Sequence, residues 1–348
     1  MRHRLLAALA GLVLVFASAA CTGKLTDSQG QDWAFTCTGP TAVPSSPSPG
    51  GAACSWAPVS PSSSPSTSET PSPTPTTPAP PAAWPNPANT GTPAGWVPVQ
   101  TRSTGMTISQ AGQVVEDVAF TNGAGVTVNA PNVVVRRSSF AGGVIVNNST
   151  GLLVEDVSFT GNGAGQNDGV IKPSGYTARR VEVNGPREGL RIGANNGPVV
   201  IEDTFIRAAP PVPCGDWHGD GVQAYGAGAA ADVTVHNVTI HLDEGSCGGT
   251  APWFHPRGSN QGNSAGATTT IDRLLVVGGG FSFRQGSSAS VNMLRVASGQ
   301  WGYGPVDVYC PAVSAWEARS VPVDSVGANG NYQPTGSGTA VACTGDGT

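Results

Sequence analysis

The chain has 348 residues, a formal net charge of -5 and only 11% charged residues. A sparsely charged and mildly acidic chain does not supply the basic surface that nucleic acid binding requires, so we expect no nucleic acid partner. The sequence also contains no nucleotide-binding loop, zinc cluster or nucleophile elbow. The familiar motifs for those three chemistries are therefore excluded.

The first part of the chain predicts export and a lipid anchor. Residues 1–20 combine a basic start, an apolar run and small residues, which is typical of a secretory signal peptide. Their end, Ala17-Ser18-Ala19-Ala20-Cys21, resembles a bacterial lipobox in which Cys21 is lipidated, although Ala17-Ser18-Ala19 also fits an ordinary cleavage site. Lipidation of Cys21 would leave six of the 7 cysteines, an even number. We therefore expect a secreted protein, anchored to the outer face of a bacterial cell membrane.

The six remaining cysteines and the composition divide the mature chain. Sequential pairing in an oxidising compartment predicts the disulfides Cys37–Cys54, Cys214–Cys247 and Cys310–Cys343. Residues 21–59 form a small segment around the first pair, and residues 60–87 form a Pro, Ser and Thr-rich spacer that is expected to be disordered and extended. Residues 88–321 are predicted to be the folded domain, and residues 322–348 a tail that caps its open end.

One short phrase returns from residue 114 to residue 321 and predicts the fold. In it Val, Ile or Phe alternate with polar residues around a central polar pair, as in half-buried strands. The pair recurs about every 20 to 25 residues, apart from two longer steps, and such a period indicates a solenoid. No leucine and asparagine framework of a leucine-rich repeat is visible. We predict an all-β parallel β-helix of about nine coils.

Two patterns predict how the coils lie on one another. The polar pairs alternate in sign over five coils, so neighbouring coils are expected to carry opposite charges. These pairs are Glu116-Asp117, Arg136-Arg137, Glu155-Asp156, Arg179-Arg180 and Glu202-Asp203. A second strand begins with glycine in five coils, and aligning these glycines without gaps gives a predicted register. The aligned strands are 125–128, 143–146, 169–172, 189–192 and 221–224.

Two phrases resemble a known family. Asn89-Thr90-Gly91-Thr92-Pro93-Ala94-Gly95 and His218-Gly219-Asp220-Gly221-Val222-Gln223 resemble segments of actinobacterial secreted β-helix proteins of the pectin-lyase-like superfamily. The likeness covers roughly residues 84–310. It implies a right-handed, single-stranded parallel β-helix and a polysaccharide target. It does not imply a particular reaction, because one fold carries many activities.

Polar side chains gather on three adjacent coils of the predicted helix. Asp168, Glu188 and Asp220 directly precede the aligned glycines, and Lys172, Arg191, Gln223 and His218 lie near them in sequence. Three close carboxylates would repel, so one or more is expected to titrate high unless a cation lies among them. That arrangement is common in active sites. The alternative is that each acid only caps a turn, since Asp-Gly is a strong turn signal.

Two long insertions flank these coils, at residues 206–217 and 241–263. Long loops on a regular scaffold usually carry function. They supply side chains of the types that line sugar subsites, although Trp253 and Phe254 equally suit a core: Trp217, Trp253, Phe254, His255 and Arg257. Arg284 and Trp301 are expected to extend the groove. His236 and His241 lack polar neighbours in sequence and are expected at the surface.

Three functions remain open at this point. Lys172 and Arg191 match the base and acid of chondroitinase B and alginate lyase type β-helix lyases, with calcium held by Asp168, Glu188 or Asp220. The acids also resemble the stacked acidic coils of polygalacturonase-like hydrolases, although the paired aspartates of that family are missing. A non-catalytic glycan-binding surface protein is the third possibility. We expect a monomer that is most similar to a polysaccharide lyase acting on a uronate-containing polysaccharide.

Overall fold

The computed structural model describes two compact units, Met1–Pro78 and Ala79–Thr348. Side chains are described over 83–161, 169–193, 196–215, 217–224, 231–243, 247, 250–257, 267–324 and 332–347. Backbone alone is described over 21–26, 32–37, 54–58, 325–326 and 331. The predicted signal peptide and most of the predicted spacer lie outside these residues. In the described part, no helix is both long and apolar enough to cross a membrane.

The first unit contains a small antiparallel sheet. Its strands are β1 (Cys21–Thr26), β2 (Asp32–Cys37) and β3 (Cys54–Pro58). The backbone of Cys37 is paired with Cys54 on one side and with Cys21 on the other. The predicted Cys37–Cys54 disulfide and the predicted lipid on Cys21 concern side chains outside the described part of the chain.

The second unit is a parallel β-helix, which confirms the predicted fold class. Each coil gives one strand to a nine-stranded sheet, here called the narrow sheet, in which neighbouring strands come from successive coils. Its strands are β5 (Met106–Ile108), β8 (Val126–Val128), β10 (Ile145–Asn147), β12 (Ile171–Lys172), β15 (Leu190–Ile192), β17 (Asp220–Ala224), β19 (Ala251–His255), β21 (Phe281–Gln285) and β23 (Gly304–Val308). The neighbours of each strand are therefore distant in sequence, and successive coils bring them together.

A thirteen-stranded sheet, here called the long sheet, forms the other side of the helix. Its strands are β4 (Gln100–Arg102), β6 (Val114–Glu116), β7 (Val118–Phe120), β9 (Val134–Ala141), β11 (Leu152–Thr160), β13 (Tyr176–Arg179), β14 (Glu182–Asn184), β16 (Val199–Ala208), β18 (Val233–Leu242), β20 (Thr268–Val277), β22 (Ser288–Ala297), β24 (Val313–Val321) and β27 (Thr339–Ala340). A separate hairpin, β25 (Val323–Val326) and β26 (Asn331–Pro334), follows the last coil. The repeated sequence phrase is therefore the long strand of each coil.

The predicted gapless alignment of glycines is wrong for two of the five coils. Val126 pairs with Ile145, Ile145 with Ile171, and Ile171 with Leu190, so coils 143–146 and 169–172 are shifted by one residue. These residues are buried and stack in one column inside the helix. Burial of matched apolar side chains decides the register, because a slip of one residue would turn the whole strand inside out.

A left-handed residue divides each repeated phrase into two halves. The second residue of the polar pair has a positive φ, between 42° and 66°, in eight successive coils. These residues are Asp117, Arg137, Asp156, Arg180, Asp203, Asn237, Arg273 and Met293. Short polar side chains tolerate this backbone region best, since they hydrogen-bond locally. The polar pair thus marks a corner at which the chain turns from one face of the helix to the next.

The predicted alternation of charge along this corner is confirmed. Arg137 donates two hydrogen bonds to Asp117, of 3.1 and 3.3 Å, and Arg180 donates two to Asp156, of 2.7 and 3.0 Å. Farther along, Asn237 donates to Asp203 at 2.6 Å. The side chains are partly exposed, so each pair contributes only about 0 to 1 kcal/mol. The ladder fixes which coils can be neighbours more than it adds stability.

Inside the helix, equivalent apolar residues stack coil upon coil. The rings of Phe120, Phe140 and Phe159 are parallel, with centroids 4.5 and 4.8 Å apart, and all three are buried. The centroid distances match the spacing of hydrogen-bonded strands, which is about 4.7 to 4.9 Å. The distance between stacked rings is therefore the same as the distance that strand pairing imposes between coils.

The C-terminal residues lie against the last coils. The disulfide Cys310–Cys343 is present as predicted, and β27 pairs antiparallel with the free edge of β24. Asp307 accepts hydrogen bonds from the backbone N–H groups of Asp346 and Gly347. The chain thereby supplies partners for backbone and carboxylate groups of the terminal coils.

Replacing Phe140 by Ala is expected to lower the free energy of unfolding by about 3 to 5 kcal/mol, because it removes the middle ring of the stack. Ser139→Ala is the matched control, since Ser139 is adjacent but only partly buried, and its cost should stay within about 0.5 kcal/mol. Denaturant unfolding of both variants tests this. Equal losses in the two variants would contradict the packing role of the stack.

Replacing Met293 by Asn is expected to stabilise the fold by about 0.5 to 1 kcal/mol, because Met293 has φ 55° and a side chain that gains little there. Met293→Val should destabilise it, since β-branched residues fit this backbone region worst. Thermal unfolding midpoints of the two variants measure the difference. A lower midpoint for the Asn variant than for the Val variant would show that backbone conformation does not limit this corner.

Candidate active site on the narrow sheet

The outward-facing residues of the narrow sheet form one row across six coils, here called the polar row. Arg191 pairs with Gln223, Gln223 with Phe254, Phe254 with Arg284, and Arg284 with Asp307. Lys172 begins the row. It follows Ile171, whose partner Leu190 precedes Arg191, so Lys172 and Arg191 occupy neighbouring rungs. The one-residue shift of register thus brings Lys172 into line with Arg191 and Gln223.

Two carboxylates lie beside this row. Because Leu190 pairs with Val222, Glu188 and Asp220 occupy adjacent rungs, and their backbones lie about 5 Å apart by the spacing of strands. They are two of the three residues that the sequence predicted to form a column of acidic side chains. The third predicted acid, Asp168, lies outside the described residues, so the set of three is not tested.

Burial and neighbouring charges shift the titration of this group. Burial raises the pKa of Glu188 to about 7, and the charges of Arg187 and Lys172 oppose that shift. Burial lowers the pKa of Lys172, while the carboxylate of Glu188 opposes that change. The pKa values of both residues therefore shift toward the neutral range, where acid and base catalysts are most effective.

Asp220 has the most confined carboxyl group of the site. Its side chain is 1% exposed, and its Oδ1 accepts a hydrogen bond of 3.0 Å from the backbone N–H of Ala251. Burial raises its pKa, the nearby charge of Glu188 raises it further, and Arg191 and Arg284 oppose the rise. Asp220 thus links its coil to the first residue of β19 and is a member of the charged cluster. That it caps its own turn, the alternative from the sequence, stays a prediction.

Three buried oxygens of the site lack a hydrogen-bond partner among the described residues. They are Oε2 of Glu188, Oδ2 of Asp220 and Oε1 of Gln223. An unpaired buried polar atom costs about 1 to 3 kcal/mol, so folding is stabilised when a ligand or proton satisfies it. Unsatisfied oxygens on three neighbouring positions are typical of a site that completes itself by binding.

The far end of the polar row contains a residue that sequence reasoning missed. Arg284 forms an ion pair of 3.1 Å with Asp307, and its guanidinium lies 5.4 Å above the ring of Phe254 and 5.5 Å from that of Phe281. Asp307 occupies the outward position of the last strand of the narrow sheet, as Arg284 does one coil earlier. Identifying it required the register rather than a motif.

Trp253 and His255 point into the core and not toward a substrate. This differs from the role predicted for His255 and agrees with the alternative that the sequence left open for Trp253. Both belong to the inward positions of β19 and are buried, at 0% and 2% exposure. Trp253 donates to Oε1 of Gln285 at 2.9 Å, and Nδ1 of His255 lies 3.1 Å from Oγ of Ser287. Strand alternation explains the error, since the side chains that flank outward Phe254 must point into the core. Burial lowers the pKa of His255 to about 4, so it stays neutral there.

The flanking loops are joined as predicted, although their aromatic residue has a different role. The disulfide Cys214–Cys247 is present. Trp217 is 5% exposed, packs with Ala208 and Leu242, and donates its indole N–H to the backbone carbonyl of Arg187 at 3.2 Å. It is therefore a structural support for the residue before Glu188 and not a sugar platform.

The two remaining predicted contacts are exposed. His218 lies at the surface next to buried Trp217, in the turn that enters β17. Arg257 is also exposed, but its guanidinium lies 3.7 Å above the ring of Tyr309, at the C-terminal end of the helix. Arg257 follows β19, whereas Lys172 and Arg191 lie on the earlier strands β12 and β15, so Arg257 belongs to another part of the surface.

The predicted calcium site is not tested, since it depends on Asp168. The described residues alone do not bring three His, Cys, Asp or Glu side chains together. The unpaired oxygens of Glu188, Asp220 and Gln223 are nevertheless the type of donor that calcium prefers.

Comparisons with known proteins found no matching family model, no matching curated protein and no matching solved structure. The function of the site is therefore argued from its own geometry.

Replacing Glu188 by Gln is expected to stabilise the protein at pH 8 but not at pH 4. The folded-state pKa of about 7 is above the ordinary value of 4.5, so the folded state gains from protonation, and that stabilisation is lost as pH rises from 4.5 to about 7. A neutral amide avoids the loss, which is on the order of 3 kcal/mol. Unfolding free energies at the two pH values measure it, with Asp324→Asn on the exposed β25 strand as control. A variant that is destabilised equally at both pH values would contradict the raised pKa.

Proposed function

We propose that this protein is a carbohydrate-active β-helix enzyme that cleaves a uronate-containing polysaccharide by β-elimination. The observation that carries the proposal is the placement of Lys172 and Arg191 on neighbouring rungs of the polar row, beside Glu188 and Asp220. The likeness to the pectin-lyase-like superfamily, on the phrases around Asn89 and His218, supports a polysaccharide target. Lys172 and Arg191 give their end of the row the positive charge that attracts a chain of carboxylates, whereas the charge of Arg284 is paired with Asp307.

Lys172 is the proposed base. Burial lowers its pKa, so a larger fraction of its amine is neutral and able to accept a proton. In the proposed reaction the amine takes the proton on the sugar carbon next to the carboxylate. The electron pair of that C–H bond forms a carbon–carbon double bond, and the bond from the adjacent carbon to the glycosidic oxygen breaks.

Arg191 is the proposed partner of Lys172. Its guanidinium stabilises the negative charge that develops as the proton leaves and the glycosidic oxygen departs with its electron pair. The departing oxygen then takes a proton from water, and the ammonium of Lys172 returns its proton to the solvent. Gln223 and Phe254 continue the row toward Arg284. Gln223 would offer a hydrogen-bonding group to a neighbouring sugar unit, whereas Phe254 is buried beneath Arg284. Calcium held by Asp168, Glu188 or Asp220, as the sequence predicts, would screen the substrate carboxylate.

Hydrolysis is the second candidate, and one observation favours it. The backbones of Glu188 and Asp220 lie on adjacent rungs, about 5 Å apart by the spacing of strands, so two carboxyl groups come from neighbouring coils, and glycosidases also use a pair of carboxyl groups. The pKa of Glu188, about 7, suits a general acid at neutral pH. In that reaction Glu188 would protonate the glycosidic oxygen, while Asp220, which is 1% exposed, would act on the sugar only indirectly, through its charge beside Glu188.

The predicted location follows from the N-terminal residues. The signal-like run and the lipobox-like residues before Cys21 support a protein on the outer face of a bacterial cell membrane, where extracellular polysaccharide is accessible. The Pro, Ser and Thr-rich spacer would then hold the β-helix away from the surface.

The test is incubation with pectate, alginate, chondroitin and neutral polysaccharides. New ultraviolet absorbance from unsaturated ends is expected with a uronate polymer, and Lys172→Ala should lower that rate about 10²- to 10⁴-fold. Lys172→Arg keeps the charge and should preserve binding while losing the rate, because arginine does not deprotonate. Thr127→Ala, in the same outward row but two rungs before Lys172, is the matched control and should retain full activity.

Each alternative gives a different result in the same assay. New reducing ends without absorbance, abolished by Glu188→Gln, would identify a hydrolase. Binding without either product would identify a glycan-binding surface protein. A normal elimination rate in the Lys172→Ala variant would refute the assignment of the base.

A further inference from the structure

A second cavity lies away from the polar row, where three coils leave the long sheet. Its volume is about 430 Å³, within the range of about 300 to 1,000 Å³ that small-molecule sites occupy. It is lined by the ends of β18, the turn after β20 and the turn after β22, together with one residue of the C-terminal hairpin. No residue of the polar row lines it.

The floor of the cavity is bare backbone. Gly278 and Gly279 have φ of 92° and 91°, and Gly302 donates its N–H to the carbonyl of Gly279 at 3.0 Å. A Cβ on Gly279 would lie 2.6 Å from Cδ of Pro252, so a side chain does not fit there. These glycines therefore let the turn pack directly against Leu242 and Pro252, and they add no side chain to the cavity lining.

Aromatic rings form the walls. Trp301 and Tyr332 both line the cavity and are partly exposed. Tyr332 reaches it from the C-terminal hairpin, 91 residues after His241, and its ring packs edge-on against that of His241 with centroids 4.7 Å apart. Partly exposed aromatic faces at a cavity are suited to the apolar C–H face of a ring-shaped polar ligand.

His241 supplies an unused polar atom. It is 9% exposed, not at the surface as its sequence context suggested, and its Nδ1 has no hydrogen-bond partner among the described residues. Its Nε2 lies 3.4 Å from the hydroxyl of Tyr332. Burial lowers the pKa of His241 to about 4, so the ring is neutral at physiological pH. A ligand hydroxyl at Nδ1 would remove the cost of leaving that nitrogen unpaired.

The charge at the cavity argues against an anionic ligand. Asp243 lines it and pairs with Arg207, which itself donates to Asn184 at 3.1 Å. A carboxylate can accept several hydrogen bonds, so the ion pair leaves acceptor capacity for ligand hydroxyls. The Asp243–Arg207 pair has no net charge and the imidazole is neutral, so the cavity offers no excess positive charge to attract a uronate.

We propose that this cavity binds a neutral, hydroxyl-rich ligand, specifically a pyranose unit of a neutral saccharide. Trp301 and Tyr332 flank the sugar ring, while His241 and Asp243 accept hydrogen bonds from its hydroxyl groups. The site is separate from the polar row and does not depend on the reaction proposed there.

The test is titration calorimetry on the full chain with cellobiose, xylobiose and mannobiose as neutral probes and digalacturonate as the charged one. At least one neutral disaccharide should bind with a dissociation constant of about 1 mM or lower. Trp301→Ala and His241→Ala should each weaken that binding about tenfold or more. Tyr303→Ala is the matched control, because Tyr303 is 83% exposed and does not line the cavity, and it should change affinity less than about twofold.

Two further readouts separate this site from the polar row. Lys172→Ala should leave neutral binding unchanged, whatever its effect on polysaccharide cleavage. Should His241→Ala unfold the chain, Trp301→Ala alone decides, since its ring is only partly buried. Absence of binding by all three neutral probes, or binding that Tyr303→Ala or Lys172→Ala weakens as much as Trp301→Ala does, would overturn the proposal.

Discussion

The structure depends on the vertical alignment of buried apolar side chains from one coil to the next. Every strand of the narrow sheet receives its hydrogen bonds from strands that are distant in the chain. Such a ladder offers nearly the same backbone bonds in any register, so the backbone alone does not choose one. Columns such as Val126, Ile145, Ile171 and Leu190 make the choice, because only one register buries them all.

The same alignment creates the candidate site. Lys172, Arg191, Gln223 and Arg284 are spread over more than a hundred residues, yet they become one row because their inward neighbours are aligned. The unpaired oxygens beside the row lower the stability of the folded state, because each of them would be hydrated in the unfolded chain. Unpaired buried polar atoms also occur elsewhere in the described residues, as at Thr239 and His241, but here three oxygens gather on neighbouring positions, as in a binding site.

The fold was readable from the sequence because its signals are periodic and local. The alternating phrases gave the strands, and the reversal of sign from Glu116 to Arg136 to Glu155 gave the neighbours. The register of residues 143–146 was not readable, because Val144, Ile145 and Val146 are all apolar and either parity looks buried. His255 was misplaced for a related reason: its loop gave no alternation to show which side chains point inward. The cavity at His241 was beyond sequence reasoning, since Tyr332 reaches it through a tertiary contact.

The charged corner also limits how this solenoid is able to change in length. Glu155 is paired with Arg179, and Arg179 with Glu202, so loss of the single coil around Arg179 would set two glutamates side by side. Loss of two coils would restore an acid against a base. Insertions or deletions of an even number of coils in this region therefore keep opposite charges on neighbouring coils, whereas an odd number places like charges together.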